Sequence, residues 1–177
     1  FAMELLGDGF ATWKQLLMSG VCRRQHAQQA GGLMGRIHRL TQDSQDLAQQ
    51  FDSTRNFRQL RIEPYLTTTA MRHPSLADAF ETESRRLAER RLCLVHGDFS
   101  PKNILISEQR FVLLDCEVAW FGDPAFDIAF LLNHLLLKAI HLEAHRRDCL
   151  QLARTAWEAY VDEVGDSLAA QVVAPLP

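Results

Sequence analysis

Residues 92–114 break the pattern of everything around them. On either side, apolar residues recur every three or four positions, the signature of amphipathic helices. Here they gather into three runs of strand length, 92–95, 103–107 and 110–114, each bounded by turn formers. Such a chain is expected to fold as α+β, a mostly helical body carrying a small β insertion. The loops inside the insertion are fixed at both ends, so polar side chains on them are held in place.

Composition narrows the class further. The 177 residues carry 19 Lys and Arg against 22 Asp and Glu, a net charge of −3. That length suits one domain with a proper core. A mildly acidic chain lacks the basic field that phosphate backbones require, so no nucleic-acid partner is expected. The longest apolar stretch, 128–142, is interrupted by Asn133, His134, Lys138 and His141. It falls short of the roughly 18 uncharged apolar residues of a membrane span, and no membrane partner is expected. Cys22, Cys93, Cys116 and Cys149 are far apart and show no paired spacing. They read as free thiols, and the expected location is cytoplasmic.

The helical parts can be placed from their periodicity. A first helix is expected up to Met18, capped by Asp8. A second, over 23–40, aligns Ala27, Ala30, Met34 and Ile37 on one face. Gly31, Gly32 and Gly35 lie within it, each costing about 1 kcal/mol against Ala, which implies close packing on a neighbour. Residues 41–53 read as a polar surface connection. Shorter helices are expected at 54–62, 64–72 and 75–90, with Pro64 and Pro74 in first-turn or linker positions. Arg85, Arg86, Arg90 and Arg91 alternate with Glu81, Glu83 and Glu89, as on a solvated face. Residues 127–140 are apolar almost all round and predict a buried central helix. The last helix, 143–164, aligns Cys149, Ala153, Ala156, Trp157, Tyr160 and Val164. His141, His145 and Cys149 recur every four residues and read as a polar stripe rather than a zinc site, which needs converging, supported ligands.

The informative chemistry lies in the insertion. His96-Gly97-Asp98-Phe99-Ser100-Pro101-Lys102-Asn103 joins the first apolar run to the second, and Asp115 follows the third. Asp98, Asn103 and Asp115 are polar groups anchored at strand ends in apolar surroundings. Carboxylate and amide oxygens suit a hard divalent cation such as Mg²⁺, which is commonly shared with substrate phosphates. Asn103 and Asp115 fit a metal-holding role, and Asp98 fits the orientation of a reacting hydroxyl.

At these residues the sequence resembles the aminoglycoside phosphotransferase and choline kinase-like family, small-molecule kinases that share the protein-kinase fold. The matching features are His-x-Asp followed by four residues and Asn, then Leu114-Asp115-Cys116-Glu117, then Gly122-Asp123-Pro124-Ala125-Phe126-Asp127-Ile128-Ala129. The resemblance implies the C-terminal lobe of a protein kinase-like fold over 8–177. It implies an ATP-dependent phosphotransferase acting on a hydroxyl of a small molecule, with ATP and Mg²⁺ as cofactors. Asp98 is then the catalytic base, and Asn103 and Asp115 are the metal ligands. His96 braces the loop, while Asp127 caps the following helix and bonds the loop backbone.

Residues 1–7 are similar to the hinge between kinase lobes, where the backbone of Glu4 and Leu6 meets adenine. Lys102, four residues after Asp98, is placed to reach a phosphate or solvent, and Ser100 stands where protein kinases carry Lys. Cys116 and Glu117 replace their Phe-Gly, and Glu117 is left between a metal role and a salt bridge.

The chain starts at Phe1 and ends on an apolar tail, which reads as a piece of a longer polypeptide. A lone C-terminal lobe is expected to turn over negligibly and to bind ATP weakly. It is also expected to expose an apolar cleft face near Leu5, Leu105 and Leu114, a possible dimer surface. The competing expectation is a catalytically silent kinase-like binding module. Retention of Asp98, Asn103 and Asp115 together argues against it.

Overall fold

The computed structural model describes residues 4, 6–7 and 9–173. Asp8 and Leu5, named above, fall outside the described residues. The chain opens with strand β1 (Ala11–Thr12) and helix α1 (Trp13–Met18). Thr12, the last strand residue, caps α1. Its hydroxyl accepts from the Gln15 N–H at 3.1 Å, and the Gln15 side chain accepts from the Thr12 N–H at 2.9 Å.

Helix α2 (Arg24–Thr41) then packs along the last helix, α8 (Arg146–Val172). Two glycines explain how close they come. A Cβ on Gly31 would lie 2.1 Å from the Ala156 carbonyl oxygen, and one on Gly35 would lie 2.8 Å from Glu163 Cβ. Gly32 faces open space. The close-packing expectation therefore holds at Gly31 and Gly35 but not at Gly32. The paired variants should behave oppositely. Gly31→Ala pushes two helices apart and should cost about 3 kcal/mol. Gly32→Ala removes only a poor helix former and should gain about 0.5–1 kcal/mol. Urea denaturation of the two proteins measures both signs.

Three expectations about the helices need correction. Residues 41–53 are not only a connection, because Ser44 caps a short helix, α3 (Gln45–Gln50). Helix did not stop at Pro64: α4 (Thr54–Phe57), a π-helical segment (Arg58–Thr67) and α5 (Thr68–Arg72) run on continuously. Proline has no N–H to donate, yet the π-helical segment carries Pro64 within it. Helix α6 (Ala77–Glu89) is not a wholly solvated charge face either. Arg86 and Arg90, at its end, reach inward to the fully buried carboxylate of Asp123.

Two small antiparallel sheets form the insertion. Strand β2 (Cys93–Val95) pairs with β5 (Trp120–Gly122), and β3 (Ile104–Ile106) pairs with β1 on one side and β4 (Phe111–Leu113) on the other. The register sets Cys93 against Gly122 and Ile104 against Leu113. Helix α7 (Ala125–His141) follows. It is apolar all round yet covered on one side only. Ile128, Leu131, Leu135 and Ala139 are buried, whereas Leu137 is 51% and Ile140 71% exposed. Helix α8 is helical to Val164, breaks at Gly165 (φ 74°, ψ 168°) and resumes to Val172.

The main core joins Trp13, Leu17, Met34, Phe99, Leu131 and Tyr160 from the helices and the loop. A second core stacks Phe57 on Trp120, ring centroids 3.4 Å apart, against Ile62, Leu87 and Val95. The sheets are thus clamped between two cores. Among the described residues, no single helix is long and apolar enough to cross a membrane. On the expected cleft face, Leu114 is exposed and Leu105 half-buried.

Candidate active site

Strand β2 delivers the chain into a loop that turns on Gly97. Its φ is 79°, and a Cβ there would lie 2.8 Å from the Val118 carbonyl oxygen, so only glycine fits without strain. Asp127, in the first turn of α7, holds this turn from below. Its buried carboxylate accepts from the His96 N–H at 2.7 Å and from the Gly97 N–H at 2.9 Å. His38 of α2 sits 3.3 Å from the same carboxylate through Nε2. Its Nδ1 lies 3.0 Å from the Tyr160 hydroxyl. A carboxylate only accepts, so Nε2–H donates to Asp127 and the tyrosine O–H donates to Nδ1. Burial raises the Tyr160 pKa and keeps it a hydroxyl donor. The start of α7 is held by a different acid, since Asp123 accepts from the Ala125 N–H at 2.9 Å.

His96 carries the order outward. Its Nδ1 accepts from the Asp98 N–H at 3.1 Å, which places the ring proton on Nε2, donated to the Leu114 carbonyl at 2.9 Å. The Leu114 N–H in turn donates to the Asn103 carbonyl at 2.8 Å. Asn103 Nδ2 donates to the Asp98 carbonyl at 3.0 Å. The loop bearing Asp98 and Asn103 is therefore clipped to the residue just before Asp115. Asp115 itself adopts the left-handed conformation (φ 68°, ψ 56°), uncommon for a residue other than glycine and a feature of functional turns.

The side chains differ in how free they are. Asp98 is buried, and its Oδ2 meets Lys102 Nζ at 2.8 Å and Arg61 Nη2 at 3.2 Å. Arg61 Nε also donates to the Gly97 carbonyl at 2.5 Å. Two cations thus fix one carboxylate oxygen and leave Oδ1 without a partner among the described residues. Asn103 Oδ1 and the exposed Asp115 carboxylate likewise have no hydrogen-bond partner among the described residues. An amide oxygen and a carboxylate oxygen, both unspent, are the hard donors that Mg²⁺ accepts. Ser100, between Asp98 and Asn103, has a buried hydroxyl with no partner among the described residues.

The structure thus brings Asp98, Asn103, His96 and Asp127 into one bonded unit, with Asp115 tethered beside it. Lys102 lies on Asp98. Glu4 lies elsewhere: its carboxylate pairs with Arg110, at 2.6 and 3.0 Å, beyond strand β3. Leu6 is half-buried, and Glu117 is exposed.

Arg61 escaped the sequence reading. The only hint was Pro64 inside a helical run, since the widened π turn around it is what aims Arg61 at the loop. π turns recur at functional sites for this reason. His38 was also missed, because one histidine on a helix face carries no signal of its own.

A pocket of about 650 Å³ is joined to the Asp98 ion pair through Arg61. Arg61 forms part of its wall, and α7 and α8 contribute Phe126, Phe130, His134, Leu137 and Trp157. Phe130 stacks on Phe126 and meets His134 edge-on, with centroids 5.5 and 5.0 Å away. Tyr65 faces Phe130 from the π segment, 6.2 Å away. Trp120, by contrast, is a core residue.

A search of curated proteins returns no match to the chain. The sequence profile of the phosphotransferase enzyme family matches residues 13–163, which include every residue of the bonded unit and the pocket wall on α7. That span is most of the chain, and the chain belongs to the phosphotransferase enzyme family.

Proposed function

We propose that this protein is the C-terminal, catalytic-loop lobe of a kinase-like enzyme that transfers the γ-phosphate of ATP to a hydroxyl of a small molecule. The observation that carries the reading is the contrast among the three acidic and amide side chains. Asp98 is held on one oxygen by Lys102 and Arg61, while Asn103 Oδ1 and the Asp115 carboxylate stay open on a braced loop. Two residues poised to give oxygen ligands and one poised to receive a proton are what phosphoryl transfer requires of a protein.

In this reading Asn103 and Asp115 would hold Mg²⁺, whose charge would offset that of the nucleotide phosphates. Asp98 Oδ1 accepts a hydrogen bond from the acceptor hydroxyl, orients it, and takes its proton as the oxygen bonds to the γ-phosphorus and the bond from that phosphorus to the bridging oxygen breaks, releasing ADP. Arg61 and Lys102 keep the carboxylate from rotating away. Lys102, half exposed, is also near enough to the loop surface to meet a phosphate. Asp127, with His38 and Tyr160 behind it, fixes the backbone at Gly97 and so the direction of Asp98. The backbone of Glu4 and Leu6 takes the adenine side.

The test is transfer of labelled γ-phosphate from ATP to a hydroxyl compound, with and without Mg²⁺. In an active form carrying this chain, transfer requires the metal. Asp115→Ala should raise the Mg²⁺ concentration for half-maximal rate by about 10–100-fold. A metal response unchanged by Asp115→Ala would remove that residue from the site.

A further inference from the structure

We infer that the pocket lined by Arg61, the partner of Asp98, takes a neutral alcohol with a bulky apolar body, and that polycationic acceptors are excluded. The inference rests on the phosphotransferase reading and names its acceptor class. Three observations carry it: the pocket's charge inventory, its wall and its position.

Glu83 is the one carboxylate residue among the described residues that line the pocket. Both its oxygens are taken by Arg86, at 2.8 Å from Nε and 2.6 Å from Nη2. The hydrogen bond to Glu83, with Asp123 nearby, also raises the Arg86 pKa despite its burial. The second guanidinium, Arg61, is spent on Asp98 and the Gly97 carbonyl. Burial, and then the nearby Lys138, lowers the His134 pKa and so disfavours a charge there. Every charge facing the pocket is therefore already paired. A polyamine entering it would lose its hydration and find no free carboxylate, an uncompensated desolvation.

The wall offers the opposite chemistry. Helix α7 presents the half-buried Phe126 and Phe130 and the exposed Leu137, with Tyr65 across and Trp157 also in the wall. Leu137, at 51% exposure, is the one of these three α7 residues that the fold leaves least covered. A pocket of about 650 Å³ suits a ligand of ordinary drug size, mostly apolar, oriented by few polar groups. Those polar groups are at one end. Arg61 belongs both to the wall and to the Asp98 pair, at 3.2 Å from its Oδ2. A hydroxyl at the Arg61 end of the ligand would lie on the side of the pocket that Arg61 joins to Asp98.

The test titrates the full chain with cyclohexylbutanol, kanamycin and choline by calorimetry, with Trp157 fluorescence as a second readout. Cyclohexylbutanol should bind saturably and at least about tenfold more tightly than either cation. Leu137→Asp changes an exposed wall residue, so the fold should survive, which the thermal midpoint checks. That variant should weaken the alcohol by about tenfold or more. Tighter binding of kanamycin or choline would overturn the inference. So would alcohol binding that Leu137→Asp leaves unchanged. These outcomes are independent of the phosphotransferase reading, which instead fails if an active form transfers no phosphate from ATP to any hydroxyl.

Discussion

Replacing Asp98 by Asn should lower kcat for phosphoryl transfer by about 10³-fold while moving the KM for ATP by no more than about threefold. The substitution keeps the shape of the side chain and both backbone bonds of the residue, Asp98 N–H to His96 and Asp98 C=O to Asn103. What it removes is the ability to accept a proton. It also leaves Lys102 and Arg61 facing an amide instead of a carboxylate. Freed cations attract nucleotide phosphates rather than repel them, so loss of ATP affinity is not expected. The pattern to look for is a collapse in kcat with nucleotide binding intact. A kcat within about threefold of the parent would mean that Asp98 takes no part in the chemistry.

The largest effect on stability should come from Asp127→Ala, a loss of about 3–5 kcal/mol. One carboxylate satisfies two buried backbone donors, at His96 and Gly97, and also His38. Alanine leaves all three without an acceptor in a site closed to water. Asp127→Asn should cost less, about 1–3 kcal/mol, because its carbonyl oxygen can still serve one N–H. Activity should fall in both, since the Gly97 turn aims Asp98. Urea unfolding measures the stability change. A cost under about 1 kcal/mol for Asp127→Ala would show that the loop holds its shape by other means.

The parts of this fold that could be read from the sequence are those with strong periodicity or dense local pattern. Helix α2, the body of α8 up to Gly165, and strands β2, β3 and β4 fall close to their expected positions. The family and the order of its loop motifs were legible because several motifs coincide within 92–129. Strand β5 was not, since three residues containing Trp and Gly acquire strand geometry only by pairing with β2. The exposed face of α7 was hidden for a different reason. Apolar composition reports what a helix could bury, not what the rest of the chain leaves to cover it. Arg86 and Arg90 looked solvated because their partner, Asp123, is distant in sequence and lies in the turn before α7. Arg61 was silent for the same reason, its two acceptors lying 36 and 37 positions further along the chain.

The site therefore divides into a local part and a long-range part. The local part is the loop 96–103, whose residue types announce their chemistry. The long-range part comprises Arg61, His38, Tyr160 and the pocket wall, which only the fold assembles. In the proposed reading the local part carries the reaction class, and the long-range part the geometry and the choice of acceptor.

A crystal structure of an active form with Mg²⁺ and a non-hydrolysable ATP analogue tests the central claim most directly. The account predicts Mg²⁺ bound by Asn103 Oδ1 and the Asp115 carboxylate, with the γ-phosphate facing Asp98 Oδ1. Metal and phosphates bound away from Asn103 and Asp115, with both side chains left in solvent, would contradict it.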